Sequence, residues 1–397
     1  MRTTSFPLII AILGAVGGLT PLAIDMYLPA IPTIAQSLAS NTEQVQLTVS
    51  VYLLFFGLGQ LIYGPITDAL GRLKVMSFGL LVFITASLGC AWVSSVEMLL
   101  LMRGIQALGG AATSVVMMGY IRDRFKHNEF AQAMSVVMLV MQLAPLIAPV
   151  LGGYLLIWAG WQSLFGVLAI VAAVLMLAVW WGLGETMPAS ARQPLSFHYA
   201  LRTYLSIIRH RTSFSYVLIG VINAGALFSF ITSAPFVYIE YFKIAPEHFG
   251  YVFGINVVAM MCFTIINARF VSRFGSTAML RFGVLTTATG GGLLVLGHVC
   301  FPMELWALMI PAMLVVGPLG LINANATSLA LVPFGHASGS VAALGGFIRF
   351  TWGAIAGALV SAFHIGTPTP MVTMMALCGL GAVGLLFKLN RQILVSA

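Results

Sequence analysis

The chain has 397 residues, of which 60% are hydrophobic and only 7% are charged. A water-soluble domain carries about 25% charged residues, so this composition excludes a soluble globular protein. The formal net charge is +8, but the basic residues are spread over short segments between apolar runs. That placement argues against a nucleic-acid-binding protein, since such a surface concentrates its basic residues.

Long apolar runs follow one another along the chain and are apolar on all sides, which favours membrane-spanning helices over barrel strands. A helix needs about 20 residues to cross a bilayer, so the length accommodates roughly twelve spans. The predicted fold class is an all-α membrane protein with twelve transmembrane helices in two six-helix bundles. The predicted spans are 7–34, 45–66, 75–94, 98–120, 131–157, 162–183, 213–239, 249–270, 279–299, 305–330, 339–363 and 369–388.

One long polar stretch, residues 184–212, interrupts the series of apolar runs. It predicts an N-terminal six-helix bundle at 1–183, a cytoplasmic linker loop at 184–212 and a C-terminal six-helix bundle at 213–397. A short surface helix is expected inside the linker at about 197–208. The first apolar run is interpreted as a retained helix, because it is too long for a secretory signal and has no clear cleavage pattern.

The basic residues are distributed unevenly between the two sides of the predicted bundles. With a cytoplasmic N-terminus, 15 of the 18 basic residues fall on the cytoplasmic side. They are Arg2, Arg72, Lys74, Arg122, Arg124, Lys126, Arg192, Arg202, Arg209, Arg211, Arg269, Arg273, Arg281, Lys388 and Arg391. Cytoplasmic loops are enriched in Lys and Arg, so this bias predicts that both termini are cytoplasmic.

The first predicted helix contains an acidic residue, Asp25, well inside its apolar run. An ionisable side chain within a membrane span is expensive and marks a functional site by default. Pro29 and Pro32 follow it and are expected to bend the outer end of this helix, because proline removes backbone donors.

A charged turn follows the second predicted span and contains Gly64, Asp68, Gly71 and Arg72. The two glycines are expected to permit a tight turn and a close approach of helices. The alternative interpretation is that the turn is only a topological anchor. Glycine and basic residues recur in the equivalent turn of the second half, 269–275, although the acidic residue does not.

The fourth and fifth predicted helices each carry an unusual pattern. Arg103 lies inside the fourth, with Gln106 three residues later, and an arginine near the centre of a span costs about 2.5–3.5 kcal/mol. It is therefore expected to face a cavity or a carboxylate, or else to extend to the external interface. The fifth carries four residues that allow bending and close packing, although generic helix packing would also account for them. These residues are Pro145, Pro149, Gly152 and Gly153.

A second interior arginine, Arg349, lies near the middle of the eleventh predicted span. It is interpreted either as a positive charge facing a central cavity or as a donor to carbonyl groups at a helix contact. Glu240 is the acidic residue nearest to it by expected depth. The residues chosen for a substrate cavity, by polarity and nearness to the motifs, are Tyr27, Tyr52, Met138, Asn223, Phe228 and Arg349.

Several of these patterns resemble one family. The turn G-x-x-x-D-x-x-G-R is similar to the signature loop of the major facilitator superfamily, although Ala69 and Leu73 replace residues that are often basic there. R-x-x-Q-x-x-G resembles its fourth-helix motif, and the fifth helix resembles its antiporter motif with Ala148 in place of a glycine. The string I-D-M-Y-L-P-A-I-P at 24–32 is similar to the bicyclomycin-resistance subfamily of drug exporters.

The resemblance implies roles for these residues. Asp68 and Arg72, with Gly64 and Gly71, would form a conformational latch, and the fifth-helix motif would favour antiport. We hypothesise that Asp25 carries the proton and that Arg103 tunes it, since burial disfavours the anion and a nearby arginine favours it. The expected activity is proton-coupled export of bicyclomycin-like drugs, other antibiotics or small metabolites by alternating access. A monomer in the bacterial inner membrane, in contact with lipid, is expected.

Two other functions are alternatives to export. A proton-coupled uptake symporter for a small metabolite would share the fold, but the fifth-helix pattern disfavours it. A membrane enzyme or receptor is disfavoured because the sequence has no clustered reactive residues and no segment long enough for a soluble sensing domain. No metal spacing, cofactor motif or nucleotide-binding motif is present either, so an ion or substrate gradient is expected to drive the cycle.

Overall fold

The structure is a computed structural model that describes residues 6–125, 127–187, 192 and 197–396. Arg2 and Lys126, used above for orientation, lie outside these ranges, as do linker residues 188–191 and 193–196. In chain order the helices are α1 (Phe6–Asp25), α2 (Ile31–Ser37), α3 (Thr42–Leu70), α4 (Arg72–Ala91), α5 (Val96–Arg124), α6 (His127–Ala159), α7 (Gln162–Gly182), α8 (Phe197–Arg209), α9 (Arg211–Pro235), α10 (Pro246–Cys300), α11 (Leu305–Val316), α12 (Leu319–Leu331), α13 (Ser338–Ala362) and α14 (Thr369–Ser396).

The predicted all-α membrane fold is confirmed. Eleven helical segments of the described chain are long and apolar enough to cross a membrane. One of them, α10, has 55 residues and covers both the eighth and the ninth predicted spans. Its residue Gly275 has φ 79° and ψ 160°, which is not helical, so the continuous element consists of two helices joined at this glycine. Divided there, the eleven segments become the twelve spans that the sequence predicts.

The first predicted span is broken after Asp25, just before Pro29 and Pro32. α1 ends at Asp25, a 3-10 turn covers Leu28–Ala30, and α2 starts at Ile31. Pro29 has no N–H to donate to a preceding carbonyl, so an α-helix cannot continue regularly through it. The expected bend is therefore present, and it leaves Asp25 at a helix end.

The helix starts are fixed locally by side chains. Asn41 accepts a hydrogen bond from the backbone N–H of Gln44 at 2.9 Å and caps α3. Ser95 does the same for Met98 at 3.3 Å and caps α5. Such caps satisfy donors that a helix leaves unpaired at its first turn. The short helix expected in the linker is present as α8.

The contacts divide the chain into two compact units. The first comprises residues 1–197 and 246–250, and the second comprises residues 198–245 and 251–397. In the first unit α5 packs on α3 and α4, while α1 packs on α6 and α7. In the second unit α9 packs on α12, α13 and α14, and Ile207 of α8 is buried in the same core. In each unit, one helix therefore packs against several neighbours.

Candidate functional site

Arg103 lies at the centre of the first unit and is completely buried, with 0% of its surface exposed. Its guanidinium carbon is 4.5 Å from the ring centroids of both Tyr27 and Tyr52, and 5.9 Å from that of Phe165. Aromatic faces attract a cation within about 6 Å, and more strongly when water is excluded. The expectation that Arg103 extends to the external interface is therefore wrong, because the aromatic rings enclose it.

The side chains of Arg103 and Gln106 together join α5 to α1 and α4 by hydrogen bonds. Nη1 of Arg103 donates to the carbonyl of Ala23 on α1 at 3.1 Å and to Oε1 of Gln106 at 2.6 Å. Gln106 in turn donates to Oγ of Ser87 on α4 at 2.7 Å. The three-residue spacing of Arg103 and Gln106 places both on one face of α5, which is why this pair can form.

Asp25 is also buried, with 3% of its surface exposed, at the end of α1. Its Oδ1 has no hydrogen-bond partner among the described residues. No ion pair with Arg103 is present in that part of the chain. Arg103, on α5, instead binds the carbonyl of Ala23 in the last turn of α1, so it contacts the helix that carries Asp25 without pairing with Asp25 itself.

The proline and glycine motif of the fifth predicted span lies on α6. It packs directly on the helix break that follows Asp25. A Cβ added to Gly152 would lie 1.8 Å from the carbonyl oxygen of Met26, so only glycine fits here. The next glycine, Gly153, faces the backbone of Pro246 and Glu247 in the same way. These contacts account for both glycines of the motif, while Pro145 and Pro149 lie inside α6 without ending it.

The charged turn is organised around Arg72, which is 2% exposed. Its Nη1 is 2.9 Å from Oδ1 of Asp68, and its Nε donates to Oδ2 of Asp123 at 2.8 Å. Gly71 before it has φ 98°, a conformation that glycine adopts without strain. The turn therefore brings Asp68, Gly71 and Arg72 together. Gly64 differs from this expectation, because nothing lies within 4 Å of a Cβ added there.

Three residues outside the sequence motif also take part in this turn. Glu185 accepts hydrogen bonds from the backbone N–H groups of Arg72 at 3.0 Å and Leu73 at 3.2 Å, and so caps α4. The Arg72 guanidinium packs directly on Gly119, because a Cβ added to this glycine would lie 2.9 Å from it. The position of Asp123 in the sequence indicates such a role. An acidic residue near a helix C-terminus is unfavourable unless a cation pairs with it.

The remaining residues predicted for a substrate cavity belong to both units. Tyr27 and Tyr52 are 0% exposed and enclose Arg103, and Tyr27 also hydrogen-bonds Thr48 through its hydroxyl. Met138 is 37% exposed on α6. In the second unit Asn223 donates to the carbonyl of Ile219 at 2.8 Å, and Phe228 packs on Phe350 with ring centroids 5.5 Å apart.

Arg349 lies on α13 at the level of Gly220, since its Nη2 is 3.9 Å from a Cβ added to that glycine. The helices α9 and α13 run side by side, and Phe228 contacts Gly353 further along. Glu240 lies 20 residues after Gly220, which is about 30 Å along a helix. Glu240 therefore lies too far along this helix to pair with Arg349.

Comparison with known proteins places these features in a family. The sequence profile of the Major Facilitator Superfamily matches residues 13–359, so the chain belongs to this superfamily of membrane transporters. A solved structure of the xylose transporter XylE from Escherichia coli, in a partially occluded inward-open conformation, has the same fold with a TM-score of 0.73. It is 14% identical and the match covers 96% of this chain and 97% of that one.

Relatives at higher identity carry drug-resistance names. A bicyclomycin resistance protein homolog of Haemophilus influenzae is 32% identical, covering 92% of each chain. A chloramphenicol resistance protein of Pseudomonas aeruginosa is 28% identical, over 89% of this chain and 84% of that protein. Multidrug resistance protein D of Escherichia coli is 26% identical, over 99% and 95%. The resemblance to the bicyclomycin-resistance transporters is confirmed, and the chain is a multi-pass membrane transporter of the drug-resistance type, not an enzyme.

Proposed function

We propose that this chain is a proton-coupled antiporter that exports drugs, bicyclomycin-like compounds and other antibiotics among them, or small metabolites by alternating access. The observation that carries the proposal is the position of Asp25. It is a buried carboxylate at a helix break whose Oδ1 lacks a partner among the described residues. An unpaired carboxylate anion is costly to bury, so a group in this position is suited to take up and release a proton.

Arg103 would act on Asp25 through helix α1 and not by direct pairing. It binds the Ala23 carbonyl in the last turn of α1, and its aromatic neighbour Tyr27 lies just beyond Asp25. A movement of the broken end of α1 would therefore alter both the Arg103 contacts and the surroundings of Asp25. Gly152 would allow that movement to be shared with α6.

The Arg72 cluster would serve as a conformational latch. Asp68 and Asp123 hold the guanidinium from α3 and α5, while Glu185 connects the start of the linker to the same turn. A change in these contacts would couple the helices of the first unit to the linker at 184–212 that leads to the C-terminal bundle.

The cellular setting follows from the same proposal. The bacterial inner membrane, cytoplasmic termini and a monomeric working state are proposed, and the basic residues of the predicted cytoplasmic segments support that orientation. One charge moving through about 100 mV releases roughly 2.3 kcal/mol. At about 1.4 kcal/mol per tenfold, exchange of one proton for one uncharged drug supports a gradient of roughly 50-fold.

The direction of transport is tested in energised inside-out vesicles that contain the protein and have an acidic lumen. Export by antiport predicts that radiolabelled bicyclomycin accumulates in the lumen, and that a protonophore prevents the accumulation. A proton-coupled uptake symporter, the alternative, would instead move its substrate out of an acidic lumen. Bicyclomycin accumulation that is unaffected by the protonophore would contradict proton coupling.

A further inference from the structure

Arg349 is a cation inside the second unit without an acidic partner. Among the described residues it forms no ion pair, and its Nε has no hydrogen-bond partner. The second unit contains only two acidic residues, Glu240 and Glu304. Removing a charge from water costs several kcal/mol unless a partner compensates it.

Both acidic residues of this unit lie too far from Arg349 to compensate it. Glu240 is about 30 Å along the helix from the level of Gly220. Glu304 lies at the same end, because the hydroxyl of Tyr241 donates to the carbonyl of Pro302 at 3.1 Å. The carboxylate of Glu304 also accepts from the Trp306 indole at 3.1 Å. The negative charge that Arg349 requires is therefore not supplied by its own unit.

The surroundings of Arg349 have the features of a small binding site. Arg349 and Asn323 are both partly exposed, unlike the fully covered Arg103. Oδ1 of Asn323 lies 3.0 Å, and Nη2 of Arg349 3.9 Å, from the point where a Gly220 Cβ would be. Glycine thus lets the Asn323 and Arg349 side chains lie close to α9 here, and Oδ1 of Asn323 has no hydrogen-bond partner in the described chain. Phe350 adds an aromatic side chain next to Arg349 in sequence, packed on Phe228.

We propose that Arg349 binds the carboxylate of a substrate, that the amide of Asn323 turns its Nδ2 toward the ligand as a second donor, and that Gly220 lets both side chains lie close to α9. An arginine fork matches the two oxygens of a carboxylate, and an amide can donate or accept depending on its orientation. The predicted substrate class is an aromatic or otherwise apolar molecule that carries one carboxylate. This inference rests on the proposed transport function and adds a substrate class to it.

Binding of a matched pair of probes tests the proposal. The purified full chain, in lipid nanodiscs, is dialysed to equilibrium against nalidixic acid, an aromatic carboxylate, and against its neutral ethyl ester. The wild type is expected to bind the acid at least about tenfold more tightly than the ester, because a charged pair is made with the acid alone. Arg349→Gln is expected to remove this difference, and Arg349→Lys to retain part of it.

Two controls separate binding from folding. Arg273→Gln removes an exposed arginine of the same unit and is expected to keep the acid preference. Gly220→Ala keeps Arg349 but places a methyl group in the space beside it, and is expected to weaken acid binding several-fold. Gly345→Ala is its matched control, since the nearest atom to its added Cβ is 3.8 Å away.

The proposal is overturned if the wild type binds acid and ester equally, or binds no acid. It is equally overturned if a folded Arg349→Gln protein keeps the preference. Because dialysis needs no proton gradient, this result is independent of the vesicle experiment with uncharged bicyclomycin. Proton-coupled export can therefore fail while carboxylate binding succeeds, and the reverse also holds.

Discussion

Each unit of this transporter contains an interior arginine, and the two are accommodated in different ways. Arg103 is fully buried, stacked between two tyrosine rings and hydrogen-bonded to Ala23 and Gln106. Arg349 is partly exposed, its Nε has no partner in the described chain, and no carboxylate of its unit is near. The comparison teaches that an arginine inside a membrane span can be a structural element in one unit and a group available to a ligand in the other.

The largest expected effect is a difference in stability between two equivalent substitutions. Arg103→Gln removes two charge-assisted hydrogen bonds and a buried cation–aromatic stack, so we expect a loss of roughly 3–5 kcal/mol. Arg349→Gln removes a charge that has no acidic partner, so we expect little loss or a small gain. Thermal unfolding of the purified variants measures both. Equal destabilisation by the two substitutions would contradict the comparison, and Arg103→Lys serves as the charge-preserving control.

The close contact beside Asp25 gives the next largest effect. Gly152→Ala would place a Cβ 1.8 Å from the Met26 carbonyl oxygen, so the backbone must move. We expect a destabilisation of about 1–3 kcal/mol, as for other overpacked sites, together with reduced transport. Gly166→Ala, on α7, is the control because nothing lies within 4 Å of its added Cβ. Wild-type stability and transport in the Gly152→Ala protein would contradict the expected role of this contact.

The two glycine turns of the chain offer a smaller test. Gly71 and Gly275 share nearly the same backbone, with φ 98° and ψ 158° in one and φ 79° and ψ 160° in the other. An alanine is strained at both, by roughly 1–3 kcal/mol, because this region of φ and ψ is essentially restricted to glycine. Gly71→Ala should be worse, because its Cβ would lie 2.8 Å from Oε2 of Glu185, whereas nothing is near Gly275. Unfolding measurements that rank Gly275→Ala as more damaging would contradict this geometry.

The smallest effect is expected at the Arg72 cluster. Asp123 is 20% exposed and Asp68 is 46% exposed, so solvent screens the Asp68 pair more strongly. We expect Asp123→Asn to cost about 1 kcal/mol and Asp68→Asn less. Transport assays and unfolding of both variants check the order. If Asp68→Asn alone abolishes transport without affecting stability, its role is in the conformational cycle and not in the fold.

The sequence predicted the features that depend on local patterns. Apolar run lengths gave the spans, the prolines after Asp25 gave the helix break, and the spacing from Arg103 to Gln106 gave one shared helix face. Contacts between side chains of different helices in a unit were not predictable in this way. That two tyrosines enclose Arg103 depends on how α1, α3 and α5 pack, and no local pattern encodes it. Gly64 illustrates the opposite error, because a motif position need not form a contact.

Long-range polar contacts were missed for a related reason. Glu185 caps α4 although it lies 113 residues after Arg72, from whose backbone N–H it accepts a hydrogen bond. Only the folded arrangement brings the end of α7 beside the turn at Gly71. The neighbours of Arg349 were not predictable either. Its proximity to Gly220 depends on how α9 and α13 pack, and its position in a predicted span does not encode that.

The central claim is that Asp25 exchanges a proton for substrate, and proton release on binding tests it most directly. Bicyclomycin is added to the purified protein in weakly buffered solution, and the released protons are counted with a pH indicator. The account predicts release by the wild type and by Glu97→Gln, which removes an exposed acidic residue, but none by Asp25→Asn. Equal release by Asp25→Asn, or bicyclomycin binding to the wild type without any release, would contradict it.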